Sequence, residues 1–272
     1  MQGKRGLVMG VANDHSIAWG IAKALADQGA QLAFTYQGEA LGKRVKPLAE
    51  SVGAALVLPC DVEDIASVDR VFAEIEKQWG AMDFLVHAIA FSDKNELKGR
   101  YADSTRENFV RTMVISCYAF TEAAKRAAAL MPNGGSMVTL TYNGGLRAMP
   151  NYNVMGVAKA ALEASVRYLA VDFGGRNIRV NAISAGPIRT LAGAGINDAR
   201  YMFAFQQRYA PLGRGITLEE LGGAGLYLLS DLSGGVTGEI HFVDAGYNVI
   251  AMPQPDLLRS EDDETPATDA AQ

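Results

Sequence analysis

Residues 6–20 of the chain read GLVMGVANDHSIAWG. This stretch combines an apolar segment of strand length, a turn that begins with glycine, and the start of a segment with helical period. The same succession of strand and helix recurs along the chain and predicts seven strands. Their apolar segments lie at 6–9, 31–36, 54–59, 82–90, 136–141, 179–184 and 239–243.

Longer segments with helical period separate these strands. They lie near 17–28, 39–51, 65–79, 105–130, 151–173 and 217–230. Strands that are apolar on both faces and alternate with helices indicate a parallel sheet that is covered on both sides. We therefore predict an α/β fold over residues 1–252: a single Rossmann-type, doubly wound, seven-stranded parallel sheet with helices on both faces.

Composition agrees with one large domain followed by a different kind of segment. The chain has 272 residues, of which 49% are hydrophobic, so it is long enough to bury a sizeable core. Residues 253–272 hold six acidic side chains against Arg259 alone, while the rest of the chain balances at 24 acidic and 24 basic residues. This pattern predicts a disordered acidic tail at 253–272 and gives no support to nucleic-acid binding.

The sequence gives no sign of a membrane span or of a metal site. Because it contains no run of about 18 apolar residues and no charged-then-apolar leader, we expect a soluble, cytoplasmic protein. Cys60 and Cys117 are far apart in apolar surroundings, which favours buried free thiols over a disulfide. The histidines His15, His87 and His241 show no metal-ligand spacing, so no metal is predicted.

The turn after the first strand is the first place to look for a ligand, because doubly wound sheets bind ligands beyond the carboxyl ends of their strands. It lacks the G-x-G-x-x-G pattern. Gly10 permits close approach of a ligand, and Ser16 can cap the next helix or offer its hydroxyl to a phosphate. Glycine followed by a serine cap is also ordinary turn chemistry.

The end of the second strand predicts the choice of nicotinamide cofactor. Gln37 stands where an acidic residue usually binds the adenosine ribose, and its amide can also make that hydrogen bond. Glu39 would repel a 2'-phosphate and no basic residue follows immediately, which favours NADH over NADPH. Lys43 and Arg44 leave NADPH open as the alternative.

The next two strand ends are less decisive. Asp61 and Val62 can address an adenine, but Asp61 or Asp64 can equally begin the following helix. The fourth strand ends in the small residues 88–90, which suit a backbone pressed against a dinucleotide or simply a packed core. His87 in that strand is interpreted as structural.

The segment after the fifth strand carries the candidate chemistry. Pro150 fits the first turn of a helix, in which Tyr152 and Lys159, seven residues apart, would share one face. A lysine ammonium beside a nicotinamide ribose would orient the cofactor and favour the phenolate of the tyrosine. A helix with one exposed lysine and a half-buried tyrosine would show the same spacing.

The stretch PNYNVMGVAK at 150–159 resembles the bacterial enoyl-[acyl-carrier-protein] reductases of the short-chain dehydrogenase superfamily. That branch spaces tyrosine and lysine as Y-x6-K rather than Y-x3-K, with a second tyrosine ten residues upstream, which Tyr142 supplies. NAISAGPIRT at 181–190 and VDAGY at 243–247 resemble the same branch, and the similarity runs over about 3–252.

The resemblance implies a role for each matching residue. It makes Tyr152 the donor to a thioester carbonyl and Lys159 the residue that binds the ribose, with Tyr142 lining the substrate site. It implies that the cofactor is touched by Gly10, Ser16, Ile17, Gln37, Asp61, Val62, Ala88, Lys159, Ile188 and Thr190.

Some positions depart from the family pattern. Ala90 stands where glycine is usual, and its methyl group bears on how closely a ligand packs there. The serine that ketone-reducing relatives use falls near Thr139, and Thr141 can be mistaken for it. Residues 191–209 mix glycines with apolar bulk and predict a substrate lid, with an ordinary packed helix as the alternative.

The implied activity is hydride transfer from NADH to a trans-2-enoyl thioester on acyl carrier protein, the last step of the fatty-acid elongation cycle. Two alternatives stay open: a ketone or alcohol oxidoreductase of the same superfamily, and a dinucleotide-binding protein without turnover. The family implies a homotetramer with contacts through the helices at 105–130 and 151–173. The three arginines Arg200, Arg208 and Arg214 can meet an acidic carrier protein or stay solvated.

Overall fold

The fold is a single seven-stranded sheet with helices on both faces, as the sequence predicts. A computed structural model describes residues 1–190, 199–252 and 254. The strands are β1 (Arg5–Met9), β2 (Gln31–Tyr36), β3 (Leu56–Pro59), β4 (Phe84–His87), β5 (Gly135–Thr141), β6 (Ile178–Ala185) and β7 (Ile240–Val243). All pairs are parallel, in the order β3-β2-β1-β4-β5-β6-β7.

Eight α-helices cover the sheet within the described residues. They are α1 (Ile17–Asp27), α2 (Gly38–Ser51), α3 (Ile65–Trp79), α4 (Arg106–Met113), α5 (Ala119–Ala129), α6 (Asn153–Gly174), α7 (Ala199–Tyr209) and α8 (Leu218–Leu229). No helix in this part of the chain is both long and apolar enough to span a bilayer.

The strands are apolar on both faces because each face has its own core. Leu7 and Met9 of β1 lie in one core with residues of α3, α5 and α6, while Val8 lies in the other with residues of α1, α2 and α8. Cys60 and Cys117 are both buried free thiols, as predicted.

Two predicted elements differ from the structure. The helix predicted over 105–130 is divided by a π-helical turn at Val114–Tyr118. The sequence does not reveal this turn, because apolar spacing does not distinguish an i+4 from an i+5 hydrogen bond. The strand predicted over 82–90 ends at His87, beyond which Ala88 donates one last backbone bond to Met9 and the chain leaves the sheet.

The order of the strands fixes where a ligand can bind. The chain runs outward from β1 to β2 and β3, and then returns to place β4 on the other side of β1. Connections leave the carboxyl ends of β1 and β4 in opposite directions, which opens a crevice between them.

Candidate active site

A cavity of about 450 Å³ opens at this crevice. Its lining comes from the turn after β1, the segments after β4, β5 and β6, and from α6 and α7. It brings together most of the residues singled out in the sequence: Gly10, Ser16, Ile17, Ala88, Tyr142, Tyr152, Lys159, Ile188 and Thr190, together with Ala90.

Three predicted cofactor residues lie outside this lining. Gln37 is exposed between β2 and α2, and Asp61 and Val62 follow β3. They stand at the same carboxyl edge of the sheet as the cavity, since Tyr36 pairs with Pro59. Asp64 rather than Asp61 caps α3, by accepting a hydrogen bond from the Ala66 N–H at 3.0 Å, so the carboxylate of Asp61 is not used as that cap.

The turn after β1 is shaped by Gly10 and Ser16. Gly10 has φ +101° and lies so close to the fourth strand end that a Cβ atom would stand 2.2 Å from the Ala88 carbonyl oxygen. Ser16 precedes α1 but makes no side-chain cap; its hydroxyl accepts the N–H groups of Ala12 (3.0 Å) and Asn13 (3.1 Å). Ser16 therefore holds the turn in shape.

The helix that carries Lys159 begins later than predicted. Pro150 is not in its first turn, because Asn151 (φ 56°) and Asn153 (φ 37°) have left-handed backbone and α6 starts at Asn153. Tyr152 therefore precedes the helix, and the predicted shared helical face is wrong. Both side chains still reach the cavity, since the bend before α6 turns Tyr152 toward it.

The two tyrosines of the site are in direct contact. The rings of Tyr142 and Tyr152 meet edge to face with centroids 5.2 Å apart. The hydroxyl of Tyr142 is buried and has no hydrogen-bond partner among the described residues. A buried polar group of this kind is costly unless a ligand satisfies it.

Burial controls the protonation of both tyrosines. It raises the pKa of Tyr142 to about 12 and raises the pKa of Tyr152 further, with smaller contributions from nearby acidic groups. Desolvation of the phenolate dominates the pKa of Tyr152, and the stabilisation of the phenolate by Lys159 beside a bound nicotinamide ribose stays a prediction. At neutral pH, Tyr152 carries its proton.

Lys159 is buried and tied to the sheet. Its Nζ donates a hydrogen bond to the carbonyl oxygen of Leu140 at 2.8 Å. Burial lowers the pKa of Lys159 to about 8, against the opposing effects of Cys117 and Glu163. The side chain thus points along the end of β5 into the cavity.

The threonines of β5 have separate roles. Thr139 is buried outside the cavity lining and donates to the carbonyl oxygen of His87 at 3.0 Å. Thr141 lines the cavity and donates to Glu163 Oε1 at 2.7 Å. Glu163 was not predicted from the sequence, although its place four residues after Lys159, about one helical turn on, could have indicated it.

His87 does not line the cavity. It is 1% exposed and its ring packs on Phe120 with centroids 5.4 Å apart. Burial, with the nearby Lys159, lowers its pKa to about 3, so it stays neutral. This agrees with a structural residue.

An apolar wall completes the cavity and was only partly foreseen. The predicted lid falls partly at 191–198, outside the described residues, and its remainder, 199–209, forms the helix α7. Met202 and Phe203 of α7 line the cavity. Phe91, Leu97 and Met155 were not predicted from the sequence; they line the cavity, and Leu97 from the chain after β4 packs with Met155 of α6.

Comparison with known proteins identifies the family of the chain. The family model described as "Enoyl-(Acyl carrier protein) reductase" matches residues 10–248. The chain is 72% identical over 262 residues to "Enoyl-[acyl-carrier-protein] reductase [NADH] 2" of Rhizobium meliloti (strain 1021), covering 96% of this chain and 98% of the relative.

Two solved structures have the same architecture. FabI from Candidatus Liberibacter asiaticus is 60% identical with TM-score 0.91, covering 93% of this chain and 98% of that one. The reductase from Anaplasma phagocytophilum in complex with NAD is 58% identical with TM-score 0.90, covering 93% and 97%. The chain therefore belongs to the enoyl-(acyl carrier protein) reductase family.

Proposed function

We propose that this protein reduces the carbon–carbon double bond of a trans-2-enoyl thioester on acyl carrier protein with NADH, in the last step of fatty-acid elongation. The observation that carries the proposal is that buried Tyr152, in ring contact with Tyr142, lines the same cavity as Lys159. Burial raises the pKa of Tyr152, so its hydroxyl remains a donor at neutral pH. A carbonyl oxygen that gains negative charge during the reaction needs such a donor.

The residues present fit a nicotinamide dinucleotide. Gly10 brings the turn after β1 against Ala88, and this turn leads into the N-terminus of α1, whose first turn has no acidic side chain. Free N–H groups at a helix N-terminus favour a pyrophosphate. When bound, NADH would supply the hydride.

The apolar wall would bind the acyl chain, and Tyr152 would act on the thioester oxygen. Addition of hydride at the β-carbon would move an electron pair onto the thioester oxygen as an enolate, and Tyr152 would donate its hydrogen bond and then its proton to that oxygen. The resulting enol returns to the thioester as the α-carbon takes up a proton and the oxygen loses one, and Tyr152 regains its proton from water. The side chains of Leu97, Met155, Met202 and Phe203 surround the acyl chain and exclude water. Tyr142 lines the same space, and its hydroxyl would find its partner in the substrate.

Lys159 would bind the nicotinamide ribose through its ammonium group. Its hydrogen bond to the Leu140 carbonyl oxygen places Nζ at the end of β5, and Lys159 lines the same cavity as Gly10 and Tyr152. Beyond the cavity, Gln37 after β2 and Glu39 in the first turn of α2 are exposed and support NADH over NADPH, because Glu39 would repel a 2'-phosphate. Asp61 and Val62 at the neighbouring strand end would receive the adenine.

The domain and assembly are also part of this proposal. One domain over 1–252 holds the whole site, with a lid at 191–209 and a tail at 253–272. Exposed apolar side chains on α4 and α6, such as Val110, Tyr168 and Val171, support a homotetramer in the cytoplasm that meets acyl carrier protein. Of the three arginines near the lid, Arg214 is already paired with Glu220 at 2.6 Å.

The experiment that tests the activity compares two thioesters. Purified protein should oxidise NADH with crotonyl-[acyl-carrier-protein] and leave acetoacetyl-[acyl-carrier-protein] unreduced. Preference for the acetoacetyl substrate would instead identify a ketone reductase. Tight NADH binding without oxidation by either substrate would identify a protein without turnover.

A further inference from the structure

A single buried hydroxyl fixes the chain where it leaves β4. The N–H of Phe91 donates to Ser116 Oγ at 2.9 Å, and Ser116 Oγ donates back to the carbonyl oxygen of Phe91 at 3.0 Å. Ser116 lies in the π-helical turn and is 0% exposed. Both backbone groups of Phe91 are therefore satisfied by one side chain 25 residues away.

Two further polar side chains of α4 hold the residues that follow. Asn108 accepts the N–H of Asp93 at 3.0 Å and donates through Nδ2 to Ser92 Oγ at 3.1 Å. Thr112 donates to the same Ser92 Oγ at 3.0 Å. Asn108 and Thr112 are 6% and 0% exposed. We call Asn108, Thr112 and Ser116 the polar clamp, and residues 90–93 the wall segment.

The π-helical turn explains why Ser116 can join the other two. An α-helix turns about 100° per residue, so residues four apart drift by about 40° around its axis. In the wider π turn each residue turns less, and four residues come closer to one full turn. Ser116 is thereby brought toward the side of the helix that carries Asn108 and Thr112.

The wall segment forms part of the cavity. Ala90, Phe91 and Ser92 line it, and Leu97 a few residues later packs in one cluster with Tyr152 and Met155. Phe91 is 41% exposed, so packing contributes little to holding it in place. Its position depends on the polar clamp and on the guanidinium of Arg111, which lies 4.6 Å from its ring centroid.

We infer that the polar clamp positions the wall segment for the enoyl thioester, and that Asn108, Thr112 and Ser116 are positioning residues of the proposed reaction. The inference rests on the proposed function for the identity of the substrate. Buried hydroxyls and amides are costly to retain in a helix unless their bonds are made. One bond lies within the clamp, from Thr112 Oγ1 to Asn108 Oδ1 at 3.3 Å, and the bonds described above all end on the wall segment. A loosened wall lowers the population of the binding-competent cavity, and the apparent affinity falls by the same factor.

The test compares Ser116→Ala with Ser136→Ala. Ser136 is a matched control, because its hydroxyl is also buried and bonded, to the Leu228 carbonyl oxygen at 2.8 Å, but it stands at the start of β5 away from the cavity. We expect Ser116→Ala to raise KM for crotonyl-[acyl-carrier-protein] about tenfold. Its kcat and its affinity for NADH should change less than about threefold, and Ser136→Ala should leave KM unchanged.

Hydrogen exchange gives a readout that does not depend on turnover. Amide exchange of a peptide covering 88–95 should speed up in Ser116→Ala and not in Ser136→Ala, because the Phe91 N–H loses its acceptor. If the wild-type protein does not reduce the enoyl thioester but this exchange difference is found, the proposed function fails and the clamp stands. Equal exchange and equal KM in the two variants would overturn the clamp.

A second pair covers the case in which Ser116→Ala does not fold. Thr112→Val keeps the volume of the side chain and removes its hydroxyl, while Thr112→Ser keeps the hydroxyl and removes the methyl group. The clamp predicts that Thr112→Val raises KM and that Thr112→Ser restores the wild-type value. A larger effect from Thr112→Ser would show that Thr112 acts by packing alone and would overturn its assigned role.

Discussion

Tyr142 and Tyr152 meet edge to face, with ring centroids 5.2 Å apart, although they come from the two ends of the segment that joins β5 to α6. Each ring helps to bury the other, and this burial raises the pKa of both hydroxyls. Two protonated phenols therefore face the cavity at neutral pH. This arrangement suits donation to an oxygen that becomes negative only during the reaction.

Removal of the Tyr152 hydroxyl should therefore slow the chemical step. We expect Tyr152→Phe to lower kcat by about 100-fold, since one donor to a developing oxyanion is typically worth about 3 kcal/mol. Affinity for NADH should change little, because the ring remains. Steady-state kinetics with crotonyl-[acyl-carrier-protein] and an NADH titration measure both quantities. Wild-type turnover in this variant would show that another group donates the proton.

Lys159 should make NADH binding sensitive to pH. Because burial lowers the pKa of Lys159 to about 8, its ammonium is lost as the pH rises through that value. The affinity of the wild-type protein for NADH should fall over the same range, while Lys159→Met binds NADH weakly and without this step. A fluorescence titration at several pH values measures the effect. The same pH dependence in Lys159→Met would assign it to another group.

The stability of the protein provides an independent check on Lys159. The pKa of Lys159 is lower in the folded protein than its ordinary value of 10.5, so its buried positive charge lowers the free energy of unfolding. This effect has its full size below about pH 8, where the lysine is charged in both the folded and the unfolded state. This destabilisation disappears as the pH rises from about 8 toward 10.5, so the free energy of unfolding gains a contribution that rises with pH. Lys159→Met should lack that contribution in urea unfolding. Parallel stability curves for the two proteins would contradict the assigned pKa.

Gly10→Ala should destabilise the fold as well as the cofactor turn. The added Cβ would stand 2.2 Å from the carbonyl oxygen of Ala88, at a φ of +101° that alanine rarely adopts. We expect a loss of about 2 to 4 kcal/mol in the free energy of unfolding. Thermal unfolding should show a clear fall in Tm. Gly235→Ala is the control, because a Cβ there meets nothing within 4 Å.

The size of residue 90 should control substrate affinity. Ala90 belongs to the wall segment, lines the cavity and is exposed, so packing against the rest of the protein does not limit the size of the side chain at this position. We expect Ala90→Gly to keep kcat/KM near the wild-type value and Ala90→Val to raise KM several-fold, because its two added methyl groups enter the space for the ligand. Equal kinetics in both variants would place the ligand away from this wall.

The sequence by itself determined the sheet. Its seven apolar segments alternate with helical ones, and local periodicity together with the two-sided burial of parallel strands is enough to predict a doubly wound fold. Y-x6-K with Tyr142 upstream likewise indicated the family, and the comparisons agree. Apolar periodicity and the Y-x6-K spacing are properties of short segments, so they can be recognised from the sequence alone.

Tertiary structure alone decided the geometry of the site. Asn151 and Asn153 take left-handed backbone and place Tyr152 before α6, which no periodicity reveals. The π-helical turn brings Ser116 to Phe91, and burial raises the pKa of Tyr152. Each of these depends on contacts between distant segments and on exclusion of water, and both arise only when the sheet has brought those segments together.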